Sequence, residues 1–95
     1  LANWDYEAKR IDVLSRVSQH FIDTMAAQQA RELAAESLKL AQNVAAAVAR
    51  RVQAGKVSHI EETKARLALS AAQIEAEQAE RQLAAARRNL SSMWG

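Results

Sequence analysis

The 95-residue chain has no cysteine and no proline, only two glycines, and four aromatic residues. Lack of cysteine excludes disulfides and thiolate metal sites, and fits an oxidising or a reducing compartment equally well. With no proline and one internal glycine, Gly55, a helix has a single place to stop. Four aromatics offer few faces on which bases could stack. The 13 basic and 11 acidic residues are interspersed without a run of five like charges and leave a net charge of +2. Nucleic acid is therefore not an expected partner. No stretch approaches the roughly 18 consecutive apolar residues that a membrane-spanning helix needs.

What the chain has in quantity is alanine, 22 residues of it, nearly half of the 49% apolar content. Alanine is the best helix former but buries little surface, so the composition favours long helices around a thin core. A core of that kind ordinarily draws on partners, from other chains or from further parts of the same protein. The chain opens on Leu1 instead of methionine, and it is expected to be a fragment of a longer protein.

The spacing predicts an all-α hairpin with a helix over about 3–53, a turn over about 54–58 and a second helix over about 59–93. Asn3 is the expected N-cap of the first helix, with Asp5 and Glu7 in its first turn. Gly55 can take the left-handed conformation that closes this helix, while Arg50 and Arg51 complement the negative end of its dipole. Ser58 and Glu61 have the Ser-x-x-Glu spacing of a reciprocal capping box, which predicts that Ser58 opens the second helix. At 1.5 Å rise per residue the two rods reach about 75 Å and about 52 Å. Both exceed the length of ordinary globular helices and point to a coiled coil or helical array.

In the second helix Ala65, Leu69, Ala72, Ala76, Ala79, Leu83, Ala86, Leu90 and Met93 alternate by four and three, the spacing of a coiled-coil seam. The first helix has two such stripes. One is Ala30, Leu33, Ser37, Leu40, Val44 and Ala47; the other, one residue on, is Ala34, Leu38, Ala41, Ala45, Val48 and Val52. Stripes about 100° apart allow one helix to touch two neighbours. A turn centred near Lys56 sets Met93 opposite roughly His20. The segment up to Gln19, with Trp4, Tyr6, Ile11, Val13, Leu14 and Val17, then overhangs and is expected to meet a partner. Asp12 with Arg16, Glu62 with Arg66 and Glu77 with Arg81 have the i,i+4 spacing of supporting ion pairs.

No constellation resembles an active site, and no enzyme activity, cofactor or metal is expected. His20 and His59 lie 39 residues apart with no second ligand at metal spacing. Glu61 and Glu62 are adjacent carboxylates, but the expected cap accounts for Glu61 and there is no cleft to raise a pKa. Trp4 and Trp94 sit at the chain ends, away from the turn, where packing against another domain is the expected role.

The tip sequence Arg51-Val52-Gln53-Ala54-Gly55-Lys56-Val57-Ser58-His59-Ile60-Glu61-Glu62-Thr63-Lys64-Ala65 resembles the hairpin tip of TolC-like outer membrane efflux proteins. Its Arg, Gly, Ser, acidic and small residues carry that family's spacing. Phe21-Ile22-Asp23 with Ala26-Ala27-Gln28-Gln29, and the segment from Glu75 to Trp94, are similar to the family's long helices. The Ala-Gly-Lys-Val-Ser tip is most like the heavy-metal exporter branch. The resemblance implies a periplasmic tunnel segment of an outer membrane protein in a Gram-negative bacterium, with three protomers each giving two hairpins. It also implies a tip that meets a periplasmic adaptor, the link to an inner-membrane pump. On that reading Arg51, Gly55, Lys56, Val57 and Ser58 are the adaptor-binding residues. Gly55 shapes the turn, Val57 gives apolar contact, Ser58 caps, and Arg51 and Lys56 offer donors.

Two other readings use the same features. The adaptor's own helical hairpin also has heptads and a short tip, although the Arg-x-x-x-Gly-x-x-Ser spacing favours the tunnel protein. A generic coiled-coil oligomerisation scaffold is the third, for which unequal helices and an alanine-rich double seam are awkward.

Overall fold

A computed structural model describes residues 2–94 of the chain. They form two antiparallel helices, α1 over Ala2–Gln53 and α2 over His59–Ser92. The result is a rod of 80 × 18 × 15 Å. Its length is that of α1, since 52 residues at 1.5 Å rise give about 78 Å.

The reversal is built on Gly55, the one described residue with a left-handed backbone, at φ +73°. The Lys56 amide donates to the Arg51 carbonyl at 2.9 Å, and the Gly55 amide donates to the Val52 carbonyl at 3.0 Å. Those two bonds, six-to-one and five-to-two, make a Schellman motif that satisfies carbonyls otherwise orphaned at the end of α1.

Both expected N-terminal caps differ from the sequence reading. Asn3 lies inside the first turn of α1, because the helix already includes Ala2, and an N-cap must stand outside helical geometry. Ser58 does occupy the N-cap position of α2 with an extended backbone (φ −82°, ψ 161°), but its hydroxyl makes no capping bond. The Glu61 amide donates to the Ser58 carbonyl at 3.1 Å, and the Glu61 carboxylate lies 3.6 Å from Lys64 Nζ. A tight first turn thus takes the donor that the hydroxyl would have received, and the acid pairs forward along the helix. The reciprocal capping box between Ser58 and Glu61 is not formed.

Along α2 the expected seam faces α1. Ala79 and Leu83 are buried, at 6% and 2% exposure, and Ala65, Leu69, Ala72, Ala76, Ala86, Leu90 and Met93 are half-buried. From α1 the stripe Ala34, Leu38, Ala41, Ala45, Val48 and Val52 meets it, continued by Ala27, Thr24, His20 and Val17, all half-buried. The neighbouring stripe from Ala30 through Leu33, Ser37 and Leu40 to Val44 is exposed. A hairpin this thin uses one of the two stripes and leaves the other to solvent.

Two cross-helix polar contacts record the register. Thr24 Oγ1 lies 2.8 Å from the His20 carbonyl and 3.3 Å from that of Ala86. Arg31 Nε donates to Glu80 Oε1 at 2.9 Å. That ion pair is exposed on both sides and contributes at most about 1 kcal/mol. Seven residues beyond the Thr24–Ala86 contact, Met93 comes level with Val17, three residues from the His20 expected. The overhang is accordingly the segment 3–16, exposed throughout, with Trp4 at 79% and Tyr6 at 71%. Of the three expected i,i+4 pairs, Asp12–Arg16 forms at 2.9 Å and Glu62–Arg66 at 2.7 Å, whereas Glu77 and Arg81 do not pair.

Candidate docking site at the hairpin tip

The tip consists of the last turn of α1, the residues 54–58 and the first turn of α2. Arg51, Gly55, Lys56 and Ser58 are exposed, and Val57 is half-buried against the turn. Gly55 takes its conformation without crowding, since a Cβ built there meets nothing within 4 Å. Only the sign of φ demands glycine.

Charge at the tip is divided between the two helix ends. Arg50, Arg51 and Lys56 stand at the negative end of the α1 dipole, and among the described residues none of them makes an ion pair with a carboxylate. Glu61 and Glu62 stand at the positive end of the α2 dipole. Glu62 is the more enclosed of the two, with its side chain 20% exposed between Arg66 and His59 Nδ1, the latter at 3.6 Å. The amides of Val57, Ser58, His59 and Ile60 have no backbone acceptor among the described residues. The tip therefore offers three free cations and a short run of amide donors to whatever meets it end-on.

Sequence reasoning placed the apolar contact at Val57, but the more available group is Ile60, at 65% exposure in the first turn of α2. The signal that would have found it is spacing. Ile60, Leu67 and Ile74 recur every seven residues, two positions away from the seam, and all three are exposed. The two histidines do not come together. His20 is half-buried in the seam, and the His59 side chain is 91% exposed. Among the described residues no three His, Asp or Glu side chains gather in metal-binding geometry, and no helix is long and apolar enough to cross a membrane.

Comparison with known proteins matches the chain over residues 1–95 to the family described as outer membrane efflux protein. The cobalt-zinc-cadmium resistance protein CzcC of Cupriavidus metallidurans is 38% identical over 86 residues, a stretch covering 90% of this chain and 21% of that relative. The chain thus spans about a fifth of the relative's length. No solved structure matches.

Proposed function

Since the chain belongs to the outer membrane efflux protein family, we propose that this hairpin is a stave of the periplasmic helical tunnel of an efflux channel. Its tip docks a periplasmic adaptor that connects the tunnel to an inner-membrane pump. The longer protein is a trimer in the Gram-negative outer membrane, and the hairpin is its periplasm-spanning portion. The segment is a passive conduit wall with no turnover of its own.

The observation that carries this reading is the tip. A Schellman turn on Gly55 sets Arg51, Lys56 and Ile60 at one end of an 80 Å rod, all exposed, with the Arg51 and Lys56 side chains in no ion pair among the described residues. An unpartnered apolar stripe along the shaft supports a wall position, because a stave needs lateral neighbours besides its own second helix. The relative is a cobalt-zinc-cadmium resistance protein by name. Divalent heavy-metal ions are therefore the cargo to test first.

Gly55→Asp and Val57→Trp in the full-length protein test the docking role. Each is expected to abolish export-dependent metal resistance while the trimer still assembles in the outer membrane. Unchanged resistance with both variants contradicts the assignment of the tip as the adaptor contact.

A further inference from the structure

The tip end of the rod carries more net charge than the whole chain. From Arg50 to Arg66 stand five basic residues and two acidic ones, a net +3 with histidine neutral, against +2 for all 95 residues and so −1 for the remainder. Positive charge is concentrated where the hairpin ends.

Within the tip the two signs are treated differently. Both acids belong to α2 and are already met on it, Glu61 by Lys64 at 3.6 Å and Glu62 by Arg66 at 2.7 Å. The other three cations, Arg50, Arg51 and Lys56, lie on the α1 side. They are exposed and take part in no ion pair among the described residues. Nor are they needed to close α1. The carbonyls of Arg50, Arg51 and Val52 accept from the amides of Ala54, Lys56 and Gly55 at 3.1, 2.9 and 3.0 Å, so backbone satisfies the helix end. Arg50 follows Val48 of the inward stripe by two residues, about 200° around the helix, and faces away from α2.

A partner seated on this end meets three uncompensated like charges. A flat anionic surface such as a membrane would also meet Glu61 and Glu62, which repel it. A protein can set carboxylates over the α1 side alone and apolar groups over Ile60, at 65% exposure. We infer that the adaptor surface docked on the tip is acidic, with its carboxylates against Arg50, Arg51 and Lys56. This rests on the reading of the tip as the adaptor contact. It adds the chemistry of the partner, and Arg50 as a contact residue. Exposed charges of this kind act chiefly on encounter rate and choice of partner, so the association rate is the quantity that reports them.

The test uses the full-length protein in nanodiscs on a biosensor surface and the purified periplasmic adaptor in solution. The association rate is expected to fall about tenfold between roughly 50 and 500 mM salt, as screening shortens the reach of the tip charges. Arg50→Glu and Lys56→Glu are each expected to lower the rate at low salt about fivefold, and jointly to remove most of its salt dependence. Lys39→Glu makes the same change of charge on an exposed lysine of the shaft, about 20 Å from the tip end of α1, and is expected to leave the rate within about twofold. Circular dichroism confirms the helix content of each variant. A rate indifferent to salt, or a loss with Lys39→Glu equal to that with Lys56→Glu, overturns the inference. Phosphatidylglycerol vesicles that bind the tip as well as the adaptor does, with the same loss in the Arg50→Glu, Lys56→Glu double variant, overturn it too. Val57→Trp separates this inference from the reading beneath it. Adaptor binding that is lost with Val57→Trp yet indifferent to salt, Arg50 and Lys56 overturns the acidic partner alone, whereas binding that survives both Gly55→Asp and Val57→Trp overturns docking at the tip.

Discussion

The Lys56 amide reaches back across the turn to the Arg51 carbonyl at 2.9 Å, and it does so because Gly55 between them has φ +73°. One residue's backbone conformation thereby decides where the longer helix ends and which side chains are held at the end of the rod.

Because nothing lies within 4 Å of a Cβ added at Gly55, substitution there is penalised by backbone strain and not by collision. Gly55→Ala is expected to destabilise the hairpin by roughly 1–2 kcal/mol. Gly55→Asn, which tolerates the left-handed region better, is expected to cost less than the alanine variant. Urea unfolding followed by circular dichroism checks the order. Equal stability of the alanine variant and the natural chain contradicts the turn geometry.

The idle hydroxyl of Ser58 has its own consequence. An N-cap serine that bonds the helix contributes about 1 kcal/mol relative to alanine. Here the hydroxyl makes no such bond, and Ser58→Ala is expected to fall well short of that figure in the same unfolding experiment. A full loss of about 1 kcal/mol would show that the capping bond forms in solution.

Leu83 is the largest fully buried side chain, at 2% exposure, whereas Leu40 on the same rod is 63% exposed. Leu83→Ala is expected to cost about 2 kcal/mol or more through lost burial and the cavity left behind. Leu40→Ala is expected to change stability by no more than about 0.5 kcal/mol, the usual range for surface substitutions. Thermal unfolding of the two variants checks the contrast.

The hairpin itself was legible because its punctuation is unique: one internal glycine, no proline, and a strict four-three seam from Ala65 to Met93. The α2 seam faces α1 as its spacing required. The spacing did not say which α1 stripe would meet it. The stripe through Leu33 and Leu40 differs from that through Leu38 and Val48 by one polar residue, Ser37, and periodicity alone does not rank two faces so alike. The cap at Ser58 was legible as a position but not as a bond, since a hydroxyl rotor and a competing backbone acceptor are decided locally. Asn3 was misplaced because propensity marks a helix start only to within a residue or two. Ile60 was passed over because its heptad partners Leu67 and Ile74 belong to the outward face, which a search for the core does not follow.

In the function proposed, the tip and not the shaft meets the adaptor. The direct measurement is in-cell photocross-linking of the full-length protein, with a photoreactive side chain placed in turn at Lys56, Ile60 and Lys39. Adducts with the adaptor are expected from Lys56 and Ile60 at the tip and not from Lys39, about 20 Å along α1 from its tip end. Adducts from Lys39 equal to those from the tip, or none from Lys56 and Ile60, would contradict it.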